Sequence, residues 1–283
     1  MVEEFPRPTR SLVGRVAIVS GAGAAGDGIG NGRASAILLA EAGASVVCVD
    51  MKHDLAQRTV EMIEQDGRGK AIAIQANVTS EEEAKNVVSK AVETFGRIDI
   101  LVNVVGVGGA QGTAEEVDMA EWAKGMEINV ASMVIMAKYC IPVMVKNEGQ
   151  WSGSIVNIAS VAGIRGGTPH LLYPTSKGAI VNMTRAMAVH HGPQRIRVNC
   201  VCPGMVYTPM MFSGGMSEEA RAARKNRSVL KTEGTGWDIG AVVRFLAGDE
   251  ARWMTGAILP VDAGATCATG SEVPKSASIN PPK

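Results

Sequence analysis

The sequence has no excess charge of either sign and few aromatic residues. Its 283 residues include 28 Lys and Arg and 28 Asp and Glu, which gives a formal net charge of +0. Because there is no basic excess, the composition does not indicate a nucleic acid or an anionic membrane as a partner. Aromatic residues make up 4% of the chain, which disfavours a stacking platform for a large planar substrate. A small molecule is therefore the expected partner.

Cysteines and long apolar runs are also scarce. The five cysteines are odd in number and lack the spacing of metal ligands, and Cys200 and Cys202 are expected to point to opposite faces of a strand. We therefore predict reduced thiols, a cytoplasmic protein and no bound metal. No run approaches ~18 uninterrupted apolar residues, so no membrane span is predicted. Residues 1–12 lack the apolar segment of a signal peptide.

Short apolar runs alternate with longer helical patterns along the chain. The predicted strands are 15–19, 44–50, 70–74, 98–102, 153–158, 195–201 and 257–261. The helical patterns cover about 31–42, 53–65, 80–94, 118–146, 172–190 and 237–248. Continuous apolar strands separated by helices indicate an α/β fold, a doubly wound parallel sheet covered by helices on both faces. We predict one catalytic domain over 12–267, an N-terminal extension over 1–11 and a disordered tail over 268–283.

A glycine-rich loop follows the first predicted strand. Residues 20–32 read SGAGAAGDGIGNG, and a helix begins near Arg33. Glycines let the backbone approach a pyrophosphate, and a helix N-terminus offers free N–H groups. Asp50 closes the next strand, where its carboxylate can bind a ribose 2′-OH and would repel a 2′-phosphate. The loop contains no Lys or Arg, so NAD is favoured, although Lys52 and His53 nearby leave NADP possible.

A tyrosine and a lysine four residues apart form a candidate proton-transfer site. Residues 173–177 read YPTSK, so on a helix Tyr173 and Lys177 share one face. A free phenol titrates near pH ~10, and the ammonium of Lys177 is expected to lower the pKa of Tyr173. The hydroxyl of Ser160 could hold a carbonyl or alcohol oxygen against this phenol. Taken alone, the Tyr–Lys spacing is equally typical of an amphipathic helix surface.

The order of these features resembles the classical short-chain dehydrogenase/reductase family. The resemblance covers about residues 12–266 and rests on the glycine loop, Asn103, Asn129, Ser160, Tyr173, Lys177, Pro203 and Gly204. It implies a Rossmann-type sheet of seven parallel strands and a homodimer or homotetramer. It also implies hydride transfer between a nicotinamide C4 and a secondary alcohol or ketone. The alternatives are a redox-neutral enzyme on the same scaffold, such as a cyclase, dehydratase or isomerase, and a non-catalytic nicotinamide-binding protein.

The resemblance also implies roles for individual residues. Tyr173 would be the general acid/base, and Lys177 would lower its pKa and hold the nicotinamide ribose. Ser160 would orient the substrate oxygen, and Asn129 would support a water-linked proton relay to the lysine. The implied cofactor-binding residues are Gly21, Gly28, Ile29, Gly30, Asn31, Gly32, Asp50, Met51, Asn77, Val78, Asn103, Gly106, Tyr173, Lys177, Pro203, Gly204, Val206 and Thr208.

Three segments depart from the family pattern or vary within it. The glycine loop is about five residues longer than the common form, so its last two motif glycines map to Gly30 and Gly32, with Gly28 and Gly30 as the alternative. The stretch 147–153 is extended and is expected to be a surface loop. The segment after Thr208 contains Met210, Met211, Phe212 and Met216, which we interpret as a mobile lid over an apolar substrate.

Overall fold

Seven strands pair in parallel with their neighbours in a computed structural model that describes residues 7–65, 67 and 69–268. Their order across the sheet is β3-β2-β1-β4-β5-β6-β7. The strands are β1 (Val16–Ser20), β2 (Ser45–Asp50), β3 (Lys70–Gln75), β4 (Ile100–Asn103), β5 (Gly153–Ile158), β6 (Ile196–Pro203) and β7 (Ile258–Val261). The strand order reverses between β1 and β4, which creates a crevice at the carboxyl ends of these strands. The predicted doubly wound α/β fold is confirmed.

Helices connect the strands and cover both faces of the sheet. In the described part of the chain the α-helices are α1 (Asn31–Glu41), α2 (His53–Gln65), α3 (Glu81–Phe95), α4 (Met119–Met126), α5 (Ser132–Met144), α6 (Leu172–His191), α7 (Pro209–Phe212), α8 (Glu218–Lys225) and α9 (Gly236–Ala247). Each predicted helix is present, but the one predicted over 118–146 is interrupted. The two short helices α7 and α8 lie in the segment interpreted as a lid.

The central strand shows why these strands are continuously apolar. Ala17 and Val19 of β1 belong to a buried cluster that includes Leu39 of α1 and Val243 of α9. Ile18, between them, belongs to the cluster on the opposite face. Successive side chains of a strand point to opposite faces, so a sheet covered on both sides requires an apolar residue at every position.

The interruption of the predicted helix is a π-helical turn over Glu127–Ala131. Together with its flanking helices this turn forms one helical run, Met119–Met144. Among the described helices it is the one that is long and apolar enough to cross a membrane, judged by length and composition alone. Its α5 part buries Met136 and Cys140 in the core cluster on one face of the sheet. This contact buries part of the run against the sheet.

The paired cysteines of β6 correct one prediction. Cys200 and Cys202 lie on the same face of the strand, with their sulfur atoms 3.9 Å apart. The prediction that they point to opposite faces was wrong because strand side chains repeat with a period of two, so residues i and i+2 share a face. The described cysteines are all free, as predicted.

The predicted disordered tail lies outside the described residues, apart from Ala268, and the domain boundaries stay a prediction. The extended stretch before β5 is a surface loop only in part. Glu148 and Gln150 are exposed, whereas Asn147 and Ser152 at its two ends are buried. The Asn147 amide anchors the loop, because its Nδ2 donates to the carbonyls of Ile98 at 2.7 Å and Ser152 at 2.9 Å.

Candidate active site

The residues predicted to carry chemistry converge on the carboxyl ends of the central strands. The glycine loop follows β1, Asp50 ends β2, Asn103 ends β4 and Ser160 follows β5. Because parallel strands end at the same edge of a sheet, these segments are brought together at the crevice where the strand order reverses. The sequence separates these residues by more than a hundred positions, and the topology brings them to one edge.

The glycine loop makes a tight turn that brings the start of α1 against the end of β1. Gly21 has a φ of 79°, which favours glycine, and its N–H donates to the Val49 carbonyl at 2.8 Å. A Cβ on Gly32 would overlap the Gly21 carbonyl oxygen. Helix α1 begins at Asn31 with Gly30 as its N-cap. This close approach favours the register in which Gly30 and Gly32 are the last two motif glycines.

Asp50 is held against the same loop. Its Oδ2 accepts a hydrogen bond from the Gly23 N–H at 3.0 Å, and its Oδ1 accepts one from the Lys52 N–H at 3.1 Å. A Cβ on Gly23 would lie 2.6 Å from that Oδ2. The backbone therefore fixes the carboxylate at the end of β2, beside the turn of the glycine loop.

Arg33 is a residue whose importance was not recognised in the sequence. It is fully buried in α1, and its guanidinium donates to the carbonyls of Gly26 and Gly28, both at 2.7 Å, and of Ala24 at 2.9 Å. Its Nε donates to the Thr59 hydroxyl at 3.0 Å. Burial lowers the pKa of Arg33. This one side chain holds the lengthened part of the loop. The sequence offered one signal of this role, a cation directly after a glycine-rich segment.

The predicted proton-transfer residues come together where α6 lies beside the end of β5. Tyr173 and Lys177 share one face of the helix, with the Lys177 Nζ 5.7 Å from the centroid of the Tyr173 ring. The Ser160 side chain lies close enough to Tyr173 to act on the pKa of its phenol. It also accepts a hydrogen bond from the Ala162 N–H at 3.1 Å, and this N-cap fixes its position at the end of β5. Lys177 is buried and donates to the Ile158 carbonyl at 3.2 Å.

Burial shifts the titration of both groups. Burial raises the pKa of Tyr173, and the hydrogen bond from Ser160 opposes this rise. Burial also lowers the pKa of Lys177 to about 8. In the chain alone burial therefore sets the direction of the Tyr173 pKa, and the lowering expected from Lys177 stays a prediction.

Asn129 lies in the π-helical turn and is fully buried. Its Oδ1 accepts from the Val107 N–H at 2.8 Å, and its Nδ2 donates to the Val107 carbonyl at 3.0 Å and to the Ser176 hydroxyl at 2.9 Å. A Cβ on Gly106 would lie 3.0 Å from the Lys177 Nζ and 3.4 Å from the Asn129 Oδ1. Asn129 thus connects the loop after β4 to the catalytic helix, and π-helical turns are often found at functional sites.

Asn103 has a structural environment that the family pattern did not predict. Its side chain is fully buried, and its Nδ2 donates to the Asn157 Oδ1 at 2.9 Å. Asn157 in turn donates to the Thr184 hydroxyl at 3.1 Å. The side chain of Asn103 therefore serves a polar chain that joins β4, β5 and α6.

The remaining predicted cofactor residues differ in how exposed their side chains are. Asn77 is exposed, and its Oδ1 accepts from the Thr79 N–H at 3.1 Å, whereas Val78 is buried. Met51 is exposed. On the opposite side, Gly204 packs closely on Asp262, since a Cβ there would lie 2.6 Å from the Asp262 Cβ. The other members of this group are Pro203 at the end of β6, Val206, which bridges to Gly234, and Thr208, the N-cap of α7.

The segment interpreted as a lid touches the lengthened glycine loop. A Cβ on Gly28 would overlap the ring of Pro209, the first residue of α7. Met210 is 74% exposed and Met211 is 40% exposed. The loop and the lid are therefore neighbours, and the apolar side chains of α7 are available for contact.

The residues present fit a nicotinamide dinucleotide. Gly30, the N-cap of α1, leaves the backbone accessible, since only the Ala24 Cβ at 3.4 Å is near the position of its missing side chain, and the first N–H groups of the helix have no partner within it. The Asn31 Oδ1 is buried without a hydrogen-bond partner among the described residues. Free donors, a bare backbone and an unsatisfied polar atom together form a cradle suited to a pyrophosphate and its sugar.

Comparison with known proteins agrees with this geometry. The sequence profile of the family described as Enoyl-(Acyl carrier protein) reductase matches residues 23–266. The chain is 33% identical to meso-2,3-butanediol dehydrogenase of Serratia marcescens over 90% of its length and 96% of the relative. It is 35% identical to 7α-hydroxysteroid dehydrogenase of Escherichia coli over 89% and 94% of the two chains.

A solved structure extends the similarity to three dimensions. It is a 7α-hydroxysteroid dehydrogenase in complex with NADH and 7-oxo-glycochenodeoxycholic acid, and it matches with a TM-score of 0.82 at 34% identity over 92% of this chain and 98% of that one. The chain therefore belongs to the classical short-chain dehydrogenase/reductase family. It is an oxidoreductase that uses a nicotinamide cofactor.

Proposed function

We propose that the protein catalyses reversible hydride transfer between NAD and a secondary alcohol or ketone, with Tyr173 as the general acid/base. The observation that carries this proposal is the convergence of Ser160, Tyr173 and Lys177 at the same sheet edge as the glycine loop. A proton donor or acceptor and a cofactor cradle at one edge are the two requirements of this reaction. When bound, the nicotinamide supplies the hydride acceptor or donor at its C4.

Each residue has a distinct role in the proposed reaction. During oxidation the phenolate of Tyr173 takes the hydroxyl proton of the substrate as hydride leaves the carbinol carbon, and Ser160 holds the same oxygen. Lys177 would contribute positive charge beside the phenol and would hold the ribose of the bound cofactor. Tyr173 loses its proton more readily beside the positive charge of an oxidised nicotinamide than in the chain alone, since a nearby cation favours a phenolate. Asn129 positions α6 through Ser176 and supports the proton relay.

The preference for NAD over NADP is part of the proposal. It is supported by the carboxylate of Asp50, which the Gly23 N–H holds beside the loop. It is also supported by Arg33, the cation that directly follows the glycine loop in the sequence, because its guanidinium is already bound to carbonyls of that loop. A 2′-phosphate would meet a fixed negative charge there, so NADP should bind more weakly.

The substrate class that fits best is an apolar secondary alcohol or the matching ketone. Exposed apolar side chains occur in the segments that adjoin the predicted catalytic residues, and they are Val107, Ile164, Leu171, Met210 and Met211. The names of two relatives indicate a butanediol and a hydroxysteroid as their substrates. We propose an apolar hydroxyl compound within this range for the present protein, acting in a cytoplasmic homodimer or homotetramer.

A screen of secondary alcohols and cyclic ketones with both cofactors tests this proposal. Absorbance at 340 nm follows the reduced nicotinamide, so turnover with a change in absorbance supports the oxidoreductase. Turnover without that change would favour a redox-neutral cyclase, dehydratase or isomerase. Tight NADH binding with no turnover across the panel would favour a binding protein. Light scattering of the same sample measures the assembly state.

A further inference from the structure

The start of helix α6 is joined to the loop between β4 and α4, residues 104–118, by a pair of hydrogen bonds. The Gly112 N–H in this β4–α4 loop donates to the Nδ1 of His170 at 3.0 Å. The Gly112 carbonyl accepts from the Leu171 N–H, also at 3.0 Å. Both backbone groups of one loop residue are therefore bound to two consecutive residues that directly precede α6.

The turn that contains Gly112 is shaped for this contact. Gly112 has a φ of 93°, which favours glycine, and a Cβ there would lie 2.8 Å from the Glu116 Cβ. The Glu116 carboxylate closes the same turn, because it accepts from the Thr113 N–H at 3.0 Å and from the Thr113 hydroxyl at 3.1 Å. The loop therefore presents the Gly112 N–H and carbonyl to α6 from a turn that is itself hydrogen-bonded.

A packing contact follows the hydrogen bonds. Leu172, the first residue of α6, is fully buried and directly precedes Tyr173. Its side chain fills the space that two glycines leave, since a Cβ on Gly109 of the loop or on Gly125 of α4 would overlap the Leu172 Cδ2. The loop and α4 thus close around the residue beside the proposed acid/base.

The same loop is also connected to the far side of Tyr173. The Tyr173 carbonyl accepts from the Ser176 hydroxyl at 2.9 Å, and that hydroxyl accepts from the Asn129 Nδ2 at 2.9 Å. Asn129 in turn binds the backbone of Val107, which belongs to the β4–α4 loop. Tyr173 is therefore bracketed by two connections to one loop, one through Gly112 before it and one through Asn129 after it.

His170 supplies the side-chain acceptor of the first connection. It is half-buried. Because its Nδ1 accepts from a backbone N–H, the neutral imidazole carries its proton on Nε2. Leucine at this position would provide bulk without an acceptor, whereas the Oδ1 of asparagine can take the place of Nδ1. The two substitutions therefore separate the hydrogen bond from the volume of the side chain.

We propose that His170 is a positioning residue that aligns Tyr173 with the substrate oxygen by binding the β4–α4 loop to the start of α6. This role rests on the proposed function of Tyr173 as the general acid/base. Proton transfer depends on the placement of the phenol, and a misplacement of ~1 Å can cost about 10²-fold in rate. Loss of the His170 acceptor removes a side-chain attachment from the turn that carries Tyr173, so hydride transfer should slow.

Hydrogen–deuterium exchange tests the contact without any need for turnover. In His170→Leu the Gly112 amide should exchange about tenfold faster than in wild type, which is the scale of one hydrogen bond. His170→Asn should keep the exchange within about twofold of wild type. His190→Leu, at the exposed other end of α6, is the matched control and should leave it unchanged. Unchanged Gly112 exchange in His170→Leu would overturn the proposal.

Single-turnover absorbance at 340 nm with saturating NAD tests the effect on Tyr173. The rate constant of hydride transfer should fall about tenfold in His170→Leu and return to within about threefold of wild type in His170→Asn, with the Kd for NAD unchanged. A loss of folded protein lowers the amplitude and leaves this rate constant unaffected. A wild-type rate constant in His170→Leu, or an equally slow His170→Asn, would overturn the positioning role. No hydride transfer by the wild type would overturn the proposed function, and this role with it.

Discussion

The two edges of the sheet are formed by the same strands but differ in the number and pairing of their charged side chains. At the carboxyl edge the cation Lys177 is buried beside Tyr173, with one carbonyl as its hydrogen-bond partner. At the amino edge, where the strands begin, several arginines share one cavity, and two of them pair with carboxylates. One edge therefore holds a single buried cation beside a phenol, whereas the other edge gathers several cations together with the carboxylates that pair with two of them.

The polar groups of the two edges also differ in how they are satisfied. At the carboxyl edge Asn129 makes three side-chain hydrogen bonds to the protein. At the amino edge Trp151 and Ser152 each leave a buried donor without a partner in the described chain. Satisfied groups fix the geometry of a site, whereas each unsatisfied buried donor costs about 1–3 kcal/mol. The predictions that follow test the geometry of the carboxyl edge, where the polar groups are satisfied.

The largest expected effect is on catalysis at the carboxyl edge. Lys177→Met should lower turnover about 10²–10⁴-fold, because proton transfer loses its nearby positive charge. Lys138→Met is the matched control, since Lys138 is exposed and pairs with Glu81 on the surface. Steady-state kinetics with the best alcohol of the screen measures both. Equal turnover in the two variants would remove Lys177 from the mechanism.

The next effect concerns the lengthened glycine loop. Arg33→Met removes the donor to Ala24, Gly26 and Gly28, and the buried Ala24 carbonyl loses its partner at a cost of about 1–3 kcal/mol. We expect the Kd for NAD to rise at least about tenfold and the free energy of unfolding to fall. Arg58→Met is the control, because Arg58 pairs with Asp27 on the exposed side of the same loop. Fluorescence titration and urea unfolding report the two quantities, and an unchanged Kd for NAD in Arg33→Met would contradict the positioning role.

A smaller effect is expected on cofactor choice. Asp50→Asn keeps an acceptor for the Gly23 N–H and removes the negative charge. The ratio of kcat/KM for NAD to that for NADP should fall about tenfold, the scale of one charged hydrogen bond. Asp54→Asn, on the exposed first turn of α2, should leave the ratio unchanged. A ratio that stays the same in Asp50→Asn would show that this carboxylate does not discriminate between the cofactors.

The smallest effect is a pH dependence of stability that comes from Lys177. Its pKa is about 8 in the folded chain and ~10.4 when unfolded. Between these values the unfolded chain binds a proton that the folded chain has lost, so the free energy of unfolding rises with pH. The rise is at most about 1.4 kcal/mol per pH unit. Urea unfolding at pH 7, 8, 9 and 10 should show it as a difference between wild type and Lys177→Met, and parallel pH curves would contradict the buried lysine.

Much of the carboxyl edge was predictable from the sequence because its signals are local. The helical spacing of Tyr173 and Lys177, the glycines that follow β1 and the position of Asp50 each depend on a few neighbouring residues. The strand and helix order also follows from the local pattern of apolar residues. The fold brings together Asn129, Ser160, Tyr173 and Lys177, and their catalytic roles stay a prediction.

The features that were not predicted depend on contacts between distant segments. Arg33 binds carbonyls that a sequence pattern does not mark as free. The π-helical turn at Asn129 adds a residue to a helix whose apolar pattern continues on both sides. The direction of the Tyr173 pKa depends on burial, which spacing alone does not give. The arrangement of Cys200 and Cys202 was misjudged from an incorrect strand periodicity, and the amino-edge cavity needs the folded chain.

The most direct test of the central claim is the substitution Tyr173→Phe in the complete protein with saturating NAD. Phenylalanine keeps the ring and removes the hydroxyl whose pKa burial and Ser160 set. Single-turnover absorbance at 340 nm should fall about 10²–10⁴-fold, while the Kd for NAD stays within about twofold. Hydride transfer within about threefold of wild type, with cofactor affinity retained, would contradict Tyr173 as the general acid/base.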